Sequence, residues 1–234
     1  YLLATAVAMF KNKPSSEAAV EAQCSVIGNV GFLGIPMLAI LMGAKAVGFI
    51  MIILAVDLIV FGSLIILIIV VSKDKKLDIF LFYRLLIGLL KNPMIVSIIC
   101  GLLWSASGWS LPGPVSDFII MLGSAATPGA LFAIGASLAQ KSAEKFETAA
   151  WLSFCKLILH PLAVCVAVFY VFEVELYAAT VMIAAASLPV AGNIFMVAEH
   201  YNVAPKRASA AIFLSTVFSI FTVSFTIAWV GSIN

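Results

Sequence analysis

The run from Ala46 to Val71 carries a single charged side chain, Asp57. A helix of roughly 20 mostly apolar residues is enough to cross the hydrocarbon core of a bilayer, so this run can be a complete transmembrane span by itself. It has several counterparts along the chain. Of the 234 residues, 64% are hydrophobic and 10% charged, whereas a soluble domain carries about 25% charged residues. No soluble fold of this size could hide so much apolar surface. The expected class is an all-α polytopic membrane protein whose main partner is the lipid bilayer. A formal net charge of +2 gives no sign of a nucleic-acid partner.

Seven full spans and one partial span can be traced. Residues 1–10 are apolar but too short to span, and read as the tail of a helix. A polar loop over 11–17 precedes an interrupted stretch from Ala22 to Met42, and Ala46–Val71 follows. The segment LDIFLFYRLLIGLL (77–90) fits either an interfacial amphipathic helix or the lead-in to the next span. Asn92-Pro93 is a helix start, an N-cap residue followed by proline at the first helical position, and opens a span to Trp109. Further spans cover Val115–Ala139 and Thr148–Tyr170, the latter with Lys156 and His160 inside it. A second interrupted stretch runs from Leu176 to Ala198, and the last span from Ala208 to Val230.

The basic residues alternate between sides. Lys11 and Lys13, then Lys73, Lys75, Lys76, Arg84 and Lys91, then Lys141 and Lys145, then Lys206 and Arg207 all fall in alternate loops, while the opposite side holds Lys45 alone. Basic loops stay in the cytoplasm, which directs the C-terminus outward across the cytoplasmic (inner) membrane.

Both interrupted stretches follow a short polar loop, break near the middle, and are followed by one unbroken span. The first leaves the basic side and the second the opposite side. Such inverted units are a common plan of secondary transporters. The expected division is a partial first repeat over 1–76, a connector over 77–91 and a second repeat over 92–234. Three spans precede the broken helix of the second repeat, against only the stub 1–10 in the first. If the halves match, about two and a half helices precede Tyr1 in the intact protein.

The breaks carry the chemistry. In Asn29-Val30-Gly31-Phe32-Leu33-Gly34-Ile35-Pro36, proline removes an N–H and frees the carbonyl of Phe32, and the glycines ease departure from helical geometry. In Ser187-Leu188-Pro189-Val190-Ala191-Gly192-Asn193, Pro189 frees the carbonyl of Ala185 in the same way. Freed backbone groups must meet protein or a wet cavity, and half-helix N-termini attract anions. Asn29 and Asn193 add neutral amides able to bind a carboxylate. The competing interpretation is a pair of proline kinks satisfied by neighbouring helices. Matching Asn, Gly and Pro in inverted units favours a binding site formed by Asn29, Gly31, Gly34, Pro36, Pro189, Gly192 and Asn193. Intramembrane ionisable groups are functional candidates by default, so Lys156, His160 and Asp57 are candidates for charge coupling. Lys156 alternatively pairs with Asp57 as structure, and His160 alternatively packs as a hydrogen-bonded residue beside Pro161.

The segments GNVGFLGIP (28–36) and SLPVAGNIFMVAEHYNV (187–203), with GALFAIGASLA (129–139) and CKLILHPLA (155–163), resemble the auxin efflux carrier family. That resemblance implies ten helices in two inverted five-helix repeats, with two broken helices crossing at the centre. It also implies a small organic anion, auxin-like or a dicarboxylate, bound beside the crossover, and elevator-like alternating access, and it leaves a homodimer open. A sodium-coupled carrier of the bile-acid-symporter type and a membrane sensor without transport are the alternatives. The breaks themselves hold amides and no carboxylate, which disfavours tight sodium binding. An intramembrane enzyme is disfavoured, since the GxSG, GxGD and HExxH motifs are absent. No soluble cofactor and no metal site are implied. Cys24, Cys100, Cys155 and Cys165 lack metal or disulfide spacing.

Overall fold

A computed structural model describes residues 1–74, 83, 87, 93–139 and 146–232. Among the described residues all regular structure is helical. In chain order the helices are α1 (Leu2–Phe10), α2 (Ser15–Val26), α3 (Ile35–Met42), α4 (Ala46–Val56), α5 (Gly62–Asp74), α6 (Pro93–Ser107) and α7 (Gly113–Ala139). They continue as α8 (Phe146–Phe154), α9 (His160–Val166), α10 (Leu176–Ala186), α11 (Asn193–His200) and α12 (Pro205–Gly231). Single π-helical turns over Asp57–Phe61 and Cys155–Leu159 join α4 to α5 and α8 to α9 without ending the rod. Three continuous helices are therefore long and apolar enough to cross a membrane among the described residues: Ala46–Ser72, Phe146–Val171 and Pro205–Gly231.

The connector over 77–91, apart from Tyr83 and Ile87, and the charged loop around Lys141 and Lys145 lie outside the described residues. Lys75, Lys76, Arg84, Lys91 and Asn92 do so too. Elsewhere helices cover the expected spans, with some ends, as at Ser15 and Pro205, shifted toward the polar loops. α2 starts at Ser15, inside the segment read as a loop, because Pro14 ends the extended chain and its carbonyl accepts from Ala18 N at 2.9 Å. Glu17 in the first turn complements the helix dipole.

Both interrupted stretches are broken helices. The first break lies upstream of where proline alone would put it. Helical geometry ends at Val26, Ile27 is extended (φ −83°, ψ 117°), and a π turn over Val30–Gly34 restarts the helix. Pro36 directly follows that π turn, inside the continuous helix Val30–Met42, so the widened turn lies just where proline removes a helical hydrogen bond. The second break spans Ser187–Gly192, with Pro189 inside it.

Packing assigns the helices to one body. Val20, Cys24 and Ile27 from the first broken helix join Leu152, Ile194 and Ala211 in one buried cluster. Leu38, Ile50 and Leu54 join Val181, Ala185 and Leu188 in another. Both of these clusters draw on both halves of the chain, while a third, of Val168, Ala179, Ile183 and Val230, is built from the second half. At the far end Tyr177 donates from its hydroxyl to the carbonyl of Met42 at 2.8 Å, and Lys45 lies 5.0 Å from its ring centroid. Tyr177→Phe is expected to destabilise the fold by about 1 kcal/mol, read as a lower midpoint of thermal unfolding. An unchanged midpoint would show that water replaces the hydroxyl. Of the two helices between the halves, α7 packs against the π turn Val30–Gly34. Leu102 and Leu103 of α6 and Phe118 and Ile120 of α7 are exposed, as lipid-solvated or partner-covered surface is.

Candidate functional site

The two breaks cross. Gly28 and Val190 form an antiparallel bridge. Asn29 N donates to the Pro189 carbonyl at 2.8 Å, and Ala191 N donates to the Ile27 carbonyl at 3.1 Å. Val190 N, left over by the bridge, donates to Ser215 Oγ of α12 at 3.0 Å. Each break therefore pairs with backbone groups of the other, and a serine from a neighbouring span takes one N–H more, in line with the need of buried backbone groups for partners.

Close approach needs glycine at two positions. A Cβ on Gly34 would lie 2.7 Å from Leu188 Cδ1 across the crossing. A Cβ on Gly28 would lie 3.3 Å from both Cε and Nζ of Lys156.

Lys156 is completely buried. It projects from the π turn Cys155–Leu159 and donates to the carbonyl of Ala186, the last residue of α10. That carbonyl ends a half-helix, where the dipole is negative, so the lysine, within the Phe146–Val171 span, caps α10. Its Nζ also lies 3.2 Å from His160 Nδ1. The pairing of Lys156 with Asp57 weighed from the sequence takes a different form here. Ion pairs among the described residues join Lys13 to Glu21 and Arg207 to Glu17 and Glu21, and Asp57 is in none of them. The proline-freed carbonyl of Ala185 is met within its own chain, by Leu188 N at 3.3 Å. It is the carbonyl one residue on that takes the lysine.

Asn29, Gly31, Gly192, Asn193 and Asp57 line one small cavity of about 20 Å³, room for a single species of water size. Asn29 is 7% exposed. The side-chain oxygen of Asn193 is buried there without a hydrogen-bond partner. Gly34, Pro36 and Pro189 do not line that cavity. Gly34 sits in the packing against Leu188, and Pro189 supplies the bridge acceptor. A second cavity, of about 320 Å³, shares Ile27, Gly28 and Asp57 with the first and adds His160, Ala185 and Ala186. Asp57 thus faces both.

The polar end of the bundle holds a cluster that sequence reasoning used only for orientation. Arg207 Nη1 donates to Glu17 Oε2 at 2.9 Å and to Glu21 Oε1 at 2.7 Å, and Lys13 donates to the same Glu21 oxygen. Glu21 is 4% exposed. The available signal was the spacing of Glu17 and Glu21, one turn apart on α2. Ser215 gave no such signal, standing among several hydroxyl residues of α12.

A family model described as "Membrane transport protein" matches residues 1–227. A Rhizobium meliloti (strain 1021) protein described as "Putative malonate transporter" is 31% identical over 134 residues. The matched region covers 57% of this chain and 42% of that relative.

Proposed function

Because this chain belongs to the membrane transport protein family, the auxin efflux carriers, we propose that it carries a small organic anion by binding the anion's carboxylate at the crossing of its broken helices. The observation that most supports this is the meeting of Asn29 and Asn193, one amide from each break, at a single cavity. Both amides can donate to a carboxylate without a permanent charge being buried. Asn193 opens α11, whose N-terminal dipole favours an anion. Gly31 and Gly192 leave room beside the amides, Gly34, Pro36 and Pro189 hold the breaks in shape, and Lys156, His160 and Asp57 supply charge coupling.

A cavity of about 20 Å³ is too small for a carboxylic acid, so in this reading the structure is an occluded form. The opening required is the alternating-access movement, with the shared core of both halves sliding as one body. Malonate is the first substrate to try, given the relative's name, with malate and indole-3-acetate beside it. The chain sits in the cytoplasmic membrane with its basic loops inside and its C-terminus outside.

The test is binding of these three acids to the detergent-purified protein, read by thermal shift. Stabilisation by one of them, weakened at least tenfold in affinity by Asn29→Ala and by Asn193→Ala, is the expected result. One charge-assisted hydrogen bond is worth about 1.5–3 kcal/mol. Full affinity in both variants would overturn the site.

A further inference from the structure

We infer that the small cavity at the crossing is a binding site for a monovalent cation of sodium size, held by the Asp57 carboxylate and the side-chain oxygens of Asn29 and Asn193. This deepens the carrier reading given above and rests on it for its consequence, though its binding test does not.

The residues at the breaks alone argue against such a site because they contain no carboxylate. The structure supplies one from a different helix. Asp57 opens the π turn between α4 and α5 and lines the same cavity as Asn29, Gly192 and Asn193. Widened turns of this kind often mark functional positions. Asp57 forms no ion pair and no side-chain hydrogen bond among the described residues. A carboxylate at membrane depth is costly unless compensated. The nearby basic group, Lys156, acts on Asp57 only through space, its hydrogen bonds going to the Ala186 carbonyl and His160.

The other walls supply acceptors. Asn193 Oδ1 is buried and unpartnered, and Asn29 is more than nine-tenths buried with no side-chain hydrogen bond among the described residues. The carbonyls of Ile27 and Gly28 each accept one backbone N–H and keep a second lone pair. Hard oxygen ligands of this kind suit hard cations over soft ones. One carboxylate neutralises one positive charge, where divalent sites usually gather several. Among the described residues no group of three His, Cys, Asp or Glu side chains could hold a metal ion. The volume admits one ion and excludes an organic molecule. Unwound backbone and half-helix C-termini at mid-membrane are where transporters hold coupling cations. A cation bound there would face the carboxylate of an arriving substrate, so anion affinity would rise with cation occupancy.

The experiment is thermal unfolding of the detergent-purified protein in sodium, lithium, potassium or choline chloride at equal ionic strength, without substrate. Sodium is expected to raise the midpoint saturably, by roughly 3–5 °C at tenfold excess over its dissociation constant, with choline inert. Asp57→Asn should abolish the rise and Asn193→Ala should shift the sodium titration at least tenfold. If Asp57→Asn fails to fold, Asn193→Ala decides alone. Equal midpoints in all four salts, or an unshifted titration in Asn193→Ala, would overturn the site. Sodium stabilisation without binding of any acid would sink the carrier reading and leave the cation site standing; acid binding without a sodium effect would do the reverse.

Discussion

Arg207→Met is expected to lower the midpoint of thermal unfolding by about 6–12 °C. The arginine holds two carboxylates, and one of them, Glu21, is 4% exposed. Removing one partner of a buried pair leaves an uncompensated charge, a loss of roughly 3 kcal/mol. For a chain of this size each kcal/mol shifts the midpoint by about 2–4 °C. Lys13 still reaches Glu21, which limits the loss. Two companions sharpen the reading. The double variant Arg207→Met with Glu21→Gln should recover part of the stability, because the stranded charge is gone. Lys206→Met, an exposed neighbour, should change little. Equal midpoints for Arg207→Met and the wild type would mean that the cluster is solvated surface.

The second large effect is at the crossing. Gly34→Ala puts a methyl 2.7 Å from Leu188 Cδ1, and Leu188 is fully buried. Overpacking of a well-filled core costs about 1–3 kcal/mol, a fall of roughly 2–12 °C. Leu188→Ala alone leaves a cavity and costs about 2–5 kcal/mol. Together the two should cost less than their sum, since the new methyl enters the space the leucine vacates. Strict additivity would show that Gly34 is required for backbone conformation and not for this contact.

The sequence carried the fold class far because hydrocarbon imposes one rule that can be read residue by residue. Ala46–Ser72 and Pro205–Gly231 needed nothing beyond length and apolarity. The broken helices were legible for a related reason: Asn, Gly and Pro are poor occupants of a span unless the break has a use. The position of the first unwinding was not. Pro36 marked the break from the sequence side, yet it lies within the restarted helix Val30–Met42, and the chain unwinds at Ile27–Asn29. What fixes that position is the pairing with Pro189 and Ala191, partners far along the chain that no local propensity encodes.

The site divides in the same way. Asn29 and Asn193 were found by their motifs and meet at one cavity. Asp57 and Lys156 were noticed only as charges in apolar runs, and a natural guess was that they pair. What no local pattern shows is that the last carbonyl of α10 takes a hydrogen bond from the lysine. An acceptor created by the end of a half-helix exists only once the second break has formed. Ser215 and the Glu21–Arg207 pair escaped for want of any local pattern linking α12 to the first half of the chain.

The bridge between Gly28 and Val190 also sets a schedule for biosynthesis. The first break is synthesised long before its partner. At about 5–20 residues per second a ribosome needs on the order of ten seconds or more to reach the second. Throughout that interval Asn29 N and the carbonyl of Ile27 lack the acceptor and donor they hold in the finished protein. Bare peptide groups do not persist in hydrocarbon, so the nascent first half must be kept wet, kept helical or kept inside the insertion machinery until Pro189 and Ala191 emerge. A chain whose synthesis stalls between the two breaks therefore keeps these backbone groups without their final partners, however well its individual spans insert.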